Sequence, residues 1–280
     1  MKLVRFGEPG QERPGLIDAD GKIRDLSAHV GDIDGATLGS AALAQLRGLD
    51  QRTLPLVADG VRLGAPLAGI GKVVCIGLNY ADHAREANLP LPQEPIIFFK
   101  SPTAVCGPKD PIIMPPGSEK TDWELELVVV IGATARNVSE DRALDYVAGY
   151  TMGLDMSERY WQIERGGQWS KGKCFDTFAP LGPWLATPDE VEAPRELAMQ
   201  LAVNEQTCQD SNTGNMIFSV AQILSYLSGL MTLLPGDVIM TGTPAGVGMG
   251  MQPPRYLRAA DRVSASIAGL GRQEHVVKAG

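Results

Sequence analysis

Histidine and cysteine are scarce in this chain: its 280 residues hold three of the first and four of the second. Cys75, Cys106, Cys174 and Cys208 stand far apart, with no C-x-x-C pair. That spacing argues against a zinc or redox motif and for a reducing compartment rather than a disulfide framework. No stretch approaches the ~18 consecutive apolar residues of a membrane span, and MKLVRFGEPGQERPG has no apolar core of signal-peptide length. The expected location is the cytoplasm. Positive charge is also short: a formal net charge of −8 argues against nucleic acid or an anionic membrane as the main partner. No alternation of strands with long helices is visible, which disfavours a doubly wound fold or a TIM barrel.

What the chain does hold is 44% hydrophobic and 21% charged residues, the balance of a globular protein. Residues 1–70 read as a small α+β unit: a strand at Lys2 to Phe6, a hairpin around Asp20-Gly21, and a short helix at Ala41 to Leu49. Residues 71–280 form the main domain, opening on the buried strand KVVCI. The run Pro108 to Pro116 excludes helix. Helices are expected at ADHAREA with Asp82 as cap, at Ser139 to Ala148 with Ser139 as cap, and at Phe218 to Leu230. One or two helical turns are expected over Ser157 to Glu164.

The chemistry concentrates at KTDWELE, Lys120 to Glu126, which runs into the β-branched LVVVI. Residues two apart on a strand share a face, so Glu124 and Glu126 project together. Paired carboxylates at an apolar strand are costly to desolvate and repel each other, and a divalent cation would relieve both costs. Taken alone, the segment reads equally as a solvated strand end. Within ADHAREA, His83 and Glu86 lie on one helical face, so that Glu86 could orient the imidazole and leave its other nitrogen as a base. An incidental surface pair is the bland alternative. The glycines of TGTPAGVG lack the Lys-Ser/Thr of a phosphate loop and read better as a loop whose amides meet a small anion.

Five motifs occur in order between Val73 and Pro254: GLNYADHARE, KTDWELE, GYTMGLDMSERYWQ, QWSKGKCFDTFAPLGP and TGTPAGVG. Together they resemble the fumarylacetoacetate hydrolase family. The resemblance implies a mostly β, multi-sheet β-roll of the α+β class behind a small N-terminal domain. It implies a Mg²⁺ or Mn²⁺ ion held by Glu124, Glu126 and Asp155, with His83, Glu86 and Lys173 as catalytic groups. Tyr80, Ser101, Arg159, Gln162, Gly242 and Thr243 are then expected to touch a 2-oxo acid substrate, and the assembly is expected to be a homodimer. The chain departs from the family at Leu154 and Tyr160, which replace polar residues beside the third metal ligand.

The function so implied is hydrolysis of the C3–C4 bond of a 2,4-dioxo acid to pyruvate and a carboxylic acid. SEKTDWE, ERGGQW and PPRYLRA look closest to bacterial members acting on 2,4-diketo-3-deoxy sugar acids of the L-fuconate or L-rhamnonate type. The alternatives are a decarboxylase or isomerase of 2-oxo diacids, homoprotocatechuate-type or oxaloacetate, and a non-catalytic metal-dependent ligand-binding protein.

Overall fold

A computed structural model describes residues 1–191 and 193–280. Its central strand is Leu125–Ile131, all seven residues of which are buried. Because side chains alternate across a strand, Leu125, Leu127, Val129 and Ile131 enter one core while Val128 and Val130 enter another. Burial on both faces explains why the sequence here is continuously apolar rather than alternating.

Around this strand lies a nine-stranded mixed sheet. On one side come Val147–Leu154, Leu185–Ala186, Lys2–Phe6, Arg13–Ile17 and Ile23–Asp25. On the other come Val238–Met240, Val73–Gly77 and Ile96–Lys100. The first seventy residues therefore extend the main sheet through Lys2–Phe6, which pairs antiparallel with Leu185–Ala186. Their Leu3, Leu16, Leu26 and Leu43 share a core with Val73, Val128 and Val238 of the remainder.

A second, five-stranded sheet comprises Gln206–Asn212, Ala198–Val203, Arg262–Ile267, Gly271–Ala279 and Ile112–Met114. It buries Leu201, Val203 and Ile267 in the other core, together with Ile223, Leu224 and Leu227 of the helix Val220–Leu230. That helix begins with a capping box, in which Ser219 accepts from the Gln222 amide and the Gln222 side chain accepts from the Ser219 amide. The fold is the mostly β, multi-sheet arrangement expected from the sequence.

Local departures have local causes. Tyr80, not Asp82, occupies the N-cap of the helix Ala81–Glu86, and Asp82 instead accepts from Ser211 Oγ at 2.7 Å. Ser139 stands at its expected position but makes no side-chain cap, and the segment after it, Glu140–Tyr146, is a 3₁₀ helix. Ser157–Glu158 is a short strand against Thr121–Asp122, with a π-helical turn at Tyr160–Glu164 after it. All four cysteines are free thiols. Among the described residues, no helix is long and apolar enough to cross a membrane.

Candidate active site

The pairing of the two longest central strands builds the acidic centre. Gly153 lies opposite Glu126 and Leu154 opposite Leu125, so the chain leaving Leu154 arrives beside Glu124. There Asp155 N donates to Glu124 O at 2.8 Å. Oxygens of Glu124, Glu126 and Asp155 consequently lie within 4.8 Å of one another, and all three residues are buried.

Three buried cations answer four buried carboxylates. Lys173 Nζ lies 2.7 Å from Glu124 Oε2 and 2.6 Å from Asp155 Oδ2. Lys100 Nζ lies 2.6 Å from Asp155 Oδ1. Arg159 Nε donates to Asp122 Oδ2 at 2.8 Å, and its Nη1 to Gln162 Oε1 at 2.9 Å. Although burial alone would raise it, the Glu124 carboxyl is pulled down to about 2 by Lys173 and Arg159. Glu126 goes the other way: burial, then Asp155 and Glu124, push it well above the ordinary carboxylate value. Its identified hydrogen-bond donor is the Gly242 amide, at 2.8 Å. A buried, oxygen-only donor set with one carboxylate lacking a cationic partner fits a hard divalent ion such as Mg²⁺ or Mn²⁺.

Gly242 can reach Glu126 because of its backbone. Its φ is +100°, and a Cβ there would meet Asn79 Cβ at 2.7 Å. Asn79 in turn donates through Nδ2 to Thr241 O at 2.7 Å and accepts the Phe218 amide at 2.8 Å. The first motif is thus clamped to the last.

The helix Ala81–Glu86 carries the proposed base. His83 Nδ1 and Glu86 Oε2 are 3.0 Å apart, while Glu86 Oε1 accepts the Gly246 amide at 2.9 Å. His83, Glu124, Glu126, Arg159, Gln162, Lys173 and Thr243 line one cavity of about 310 Å³. Thr243 presents itself there with its hydroxyl donated to Leu125 O at 2.9 Å. The Arg159 Nη2 atom sits 2.7 Å from Glu124 Oε1 and 2.8 Å from Asp122 Oδ2, so the guanidinium is tied to both carboxylates.

Three residues expected at the substrate do not line this cavity: Tyr80, Ser101 and Gly242, whose amide is given to Glu126. Tyr80 is buried with its hydroxyl 3.3 Å from Met199 Sδ, because the backbone bridge to Met216 turns the ring into the core. Ser101 Oγ is used by its own turn, accepting from the Thr103 amide, and lies outside the cavity lining. Leu154 is buried in the core, and Tyr160 stands half-exposed against Trp161 and Arg165. Neither departure lines the cavity.

Sequence reasoning missed Lys100, Asp122 and Gln209. Asp122 accepts the amides of Trp123, Gly248 and Met249 as well as Arg159 Nε, tying the glycine loop to the acidic centre. Gln209 accepts from Leu125 N and donates to Thr243 Oγ1 and Pro244 O. For Asp122 a signal existed, since DWELE places a third acid two residues before Glu124. Lys100 and Gln209 carry no such signal, because their partners are distant in sequence.

The sequence and the fold are similar to those of known proteins. The sequence model described as fumarylacetoacetate (FAA) hydrolase C-terminal matches residues 72–278. A Burkholderia multivorans protein with a provisional hydrolase name is 59% identical over 280 residues, covering 100% of this chain and 99% of that one. Fumarylacetoacetate hydrolase from Exiguobacterium antarcticum superposes with a TM-score of 0.86 at 36% identity, covering 100% of each chain. Maleylpyruvate hydrolase from Sphingobium sp. SYK-6, solved with manganese(II) and pyruvate, gives 0.81 at 30% identity and 100% coverage of both. Solved mycobacterial neighbours bear isomerase names. A match over most of the chain, with full-length relatives on both sides of it, places the chain in the fumarylacetoacetate hydrolase family.

Proposed function

We propose that this protein is a divalent-metal-dependent hydrolase that cleaves the C3–C4 bond of a 2,4-dioxo acid, releasing pyruvate and a carboxylic acid. The observation that carries this reading is the His83–Glu86 pair opening onto the cavity that holds the acidic centre. Glu124, Glu126 and Asp155 would hold the metal, which when bound supplies Lewis-acid withdrawal of electrons from a 2-oxo group.

The chain's own groups then divide the work. Glu86 fixes His83 through Nδ1, so Nε2 takes the proton from a water directed at C4. Gly246 holds Glu86 in turn, so the pair needs little reorganisation when the imidazolium forms. As the C3–C4 bond breaks, its electrons pass into the pyruvate fragment as an enolate. Lys173 and Arg159 lie beside that fragment and offset its charge. A proton on C3 then completes pyruvate. A decarboxylase would need no such water-activating pair, which makes hydrolysis the better use of His83.

The deciding measurement is pyruvate release from a panel of 2,4-dioxo and 2-oxo acids with Mg²⁺ or Mn²⁺. Proton exchange or double-bond migration without pyruvate would make isomerase the correct class. Loss of carbon dioxide from a 2-oxo diacid, with 2,4-dioxo acids untouched, would make it a decarboxylase.

A further inference from the structure

Beyond the acidic centre the same cavity changes character. Ile76, Leu78, Leu89, Phe98, Trp169 and Met249 line it as well, together with the half-exposed Ile163. Trp169 packs edge-on against Phe98 at 5.4 Å between ring centroids. The lining cations, Arg159 and Lys173, are both committed to the acidic centre, by Asp122 and Glu124 in one case and Glu124 and Asp155 in the other. His83 is committed through Nδ1 to Glu86.

We infer that this outer half selects an uncharged, apolar acyl tail, so that the preferred substrate is an acylpyruvate with an aliphatic or single-ring acyl group. The inference rests on the 2,4-dioxo acid reading and deepens it. A polyhydroxylated tail, the sugar-acid kind expected from the sequence, would meet apolar side chains at Ile76, Leu78, Leu89, Phe98, Ile163 and Met249, with the Trp169 indole N–H as the one polar group among them. Each hydroxyl left unmatched there weakens binding by roughly tenfold or more. A tail carboxylate fares worse, since an unpaired buried charge is costlier than an unpaired hydroxyl. An apolar tail gains instead, by about fourfold for each methylene removed from water. A volume of about 310 Å³ limits the tail to a short chain or one ring once the oxo-acid head is seated.

The test reads binding and cleavage separately on the full chain. Calorimetry with Mn²⁺-loaded protein compares 2-oxobutanoate, 2-oxopentanoate and 2-oxohexanoate with 2-oxoadipate and a 3-deoxy-2-oxo sugar acid. Affinity is expected to rise about fourfold per methylene along the first three, with the diacid and the sugar acid at least tenfold weaker than 2-oxohexanoate. Ile163→Arg, at a position 47% exposed and so tolerant of substitution, should bring 2-oxoadipate to parity or better. A diacid or sugar acid binding as tightly as 2-oxohexanoate overturns the inference, as does failure of all five to bind. Pyruvate release from hexanoylpyruvate is followed in parallel. If it is absent while the binding order holds, the hydrolase reading falls and the apolar-tail assignment stands.

Discussion

Gly246, in the glycine-rich loop, donates its amide to Glu86 at 2.9 Å, across 160 residues of sequence. The loop thereby orients the acid that orients His83. Glu86 is held by this amide at one oxygen and by the imidazole at the other.

His83→Ala should therefore lower kcat/KM for pyruvate release by about 10²-fold or more, the usual effect of deleting a positioned base. Glu86→Gln should lose less, since it disturbs the ring's orientation but leaves the nitrogen in place. Any decarboxylation of oxaloacetate should be hurt less by either change, because no water attacks there. Cleavage unaffected in His83→Ala, by coupled pyruvate assay, would remove His83 from the chemistry.

The metal-free protein should carry a pH signature from Glu126. Its carboxyl is raised in the fold, so between the ordinary value of 4.5 and the raised one the folded state binds the extra proton. The contribution of this group to stability is consequently greatest at low pH and declines as pH rises above that ordinary value. Glu124, pulled down to about 2, acts in the opposite sense but only below 4.5. Denaturant titrations from about pH 5 to 8 should show a falling contribution that Glu126→Gln abolishes, read as the difference between the two proteins. Mn²⁺ should stabilise the wild type more at pH 8 than at pH 5, and a parallel pair of profiles with and without metal would refute this. The same substitution should weaken Mn²⁺ binding strongly by calorimetry.

Gly77→Ala should reshape the tail end of the cavity. A Cβ there would stand 2.5 Å from Trp169 Cζ3, so the indole must move or the strand must shift. Overpacking of this kind costs about 1–3 kcal/mol in stability. We expect kcat/KM for long-tailed acylpyruvates to fall about tenfold while that for acetylpyruvate falls less. Equal losses for both would mean that Trp169 does not shape the tail site.

Asp122→Asn tests the clamp between the glycine loop and Arg159. Removing one partner of a buried ion pair is expected to cost about 3–5 kcal/mol, read as a loss of unfolding free energy in urea. A loss below about 1 kcal/mol would show that the amides of Gly248 and Met249 alone suffice to place the loop.

Much of the site was written in short stretches of sequence, and those parts were legible. The period of two along a strand put Glu124 and Glu126 on one face, and the period of a helix put His83 beside Glu86. Such relationships need only the local backbone, as does the β-branched LVVVI that forms the centre of the sheet. Tertiary structure alone decided that Lys100 meets Asp155, that Gln209 spans Leu125 and Thr243, and that Tyr80 turns toward Met199 rather than the cavity. It also decided the character of the tail site. Ile76, Leu89, Phe98, Ile163, Trp169 and Met249 come from separate segments, and each is an ordinary apolar residue in its own stretch. The parallel pairing of Val238–Met240 with Val73–Gly77, and the antiparallel pairing on its other side with Leu125–Ile131, bring the strand that carries Ile76 to within one strand of the one that carries Glu126. Contacts that depend on which distant strands pair leave no periodic trace in a single sequence, and so the head of the substrate could be read where its tail could not.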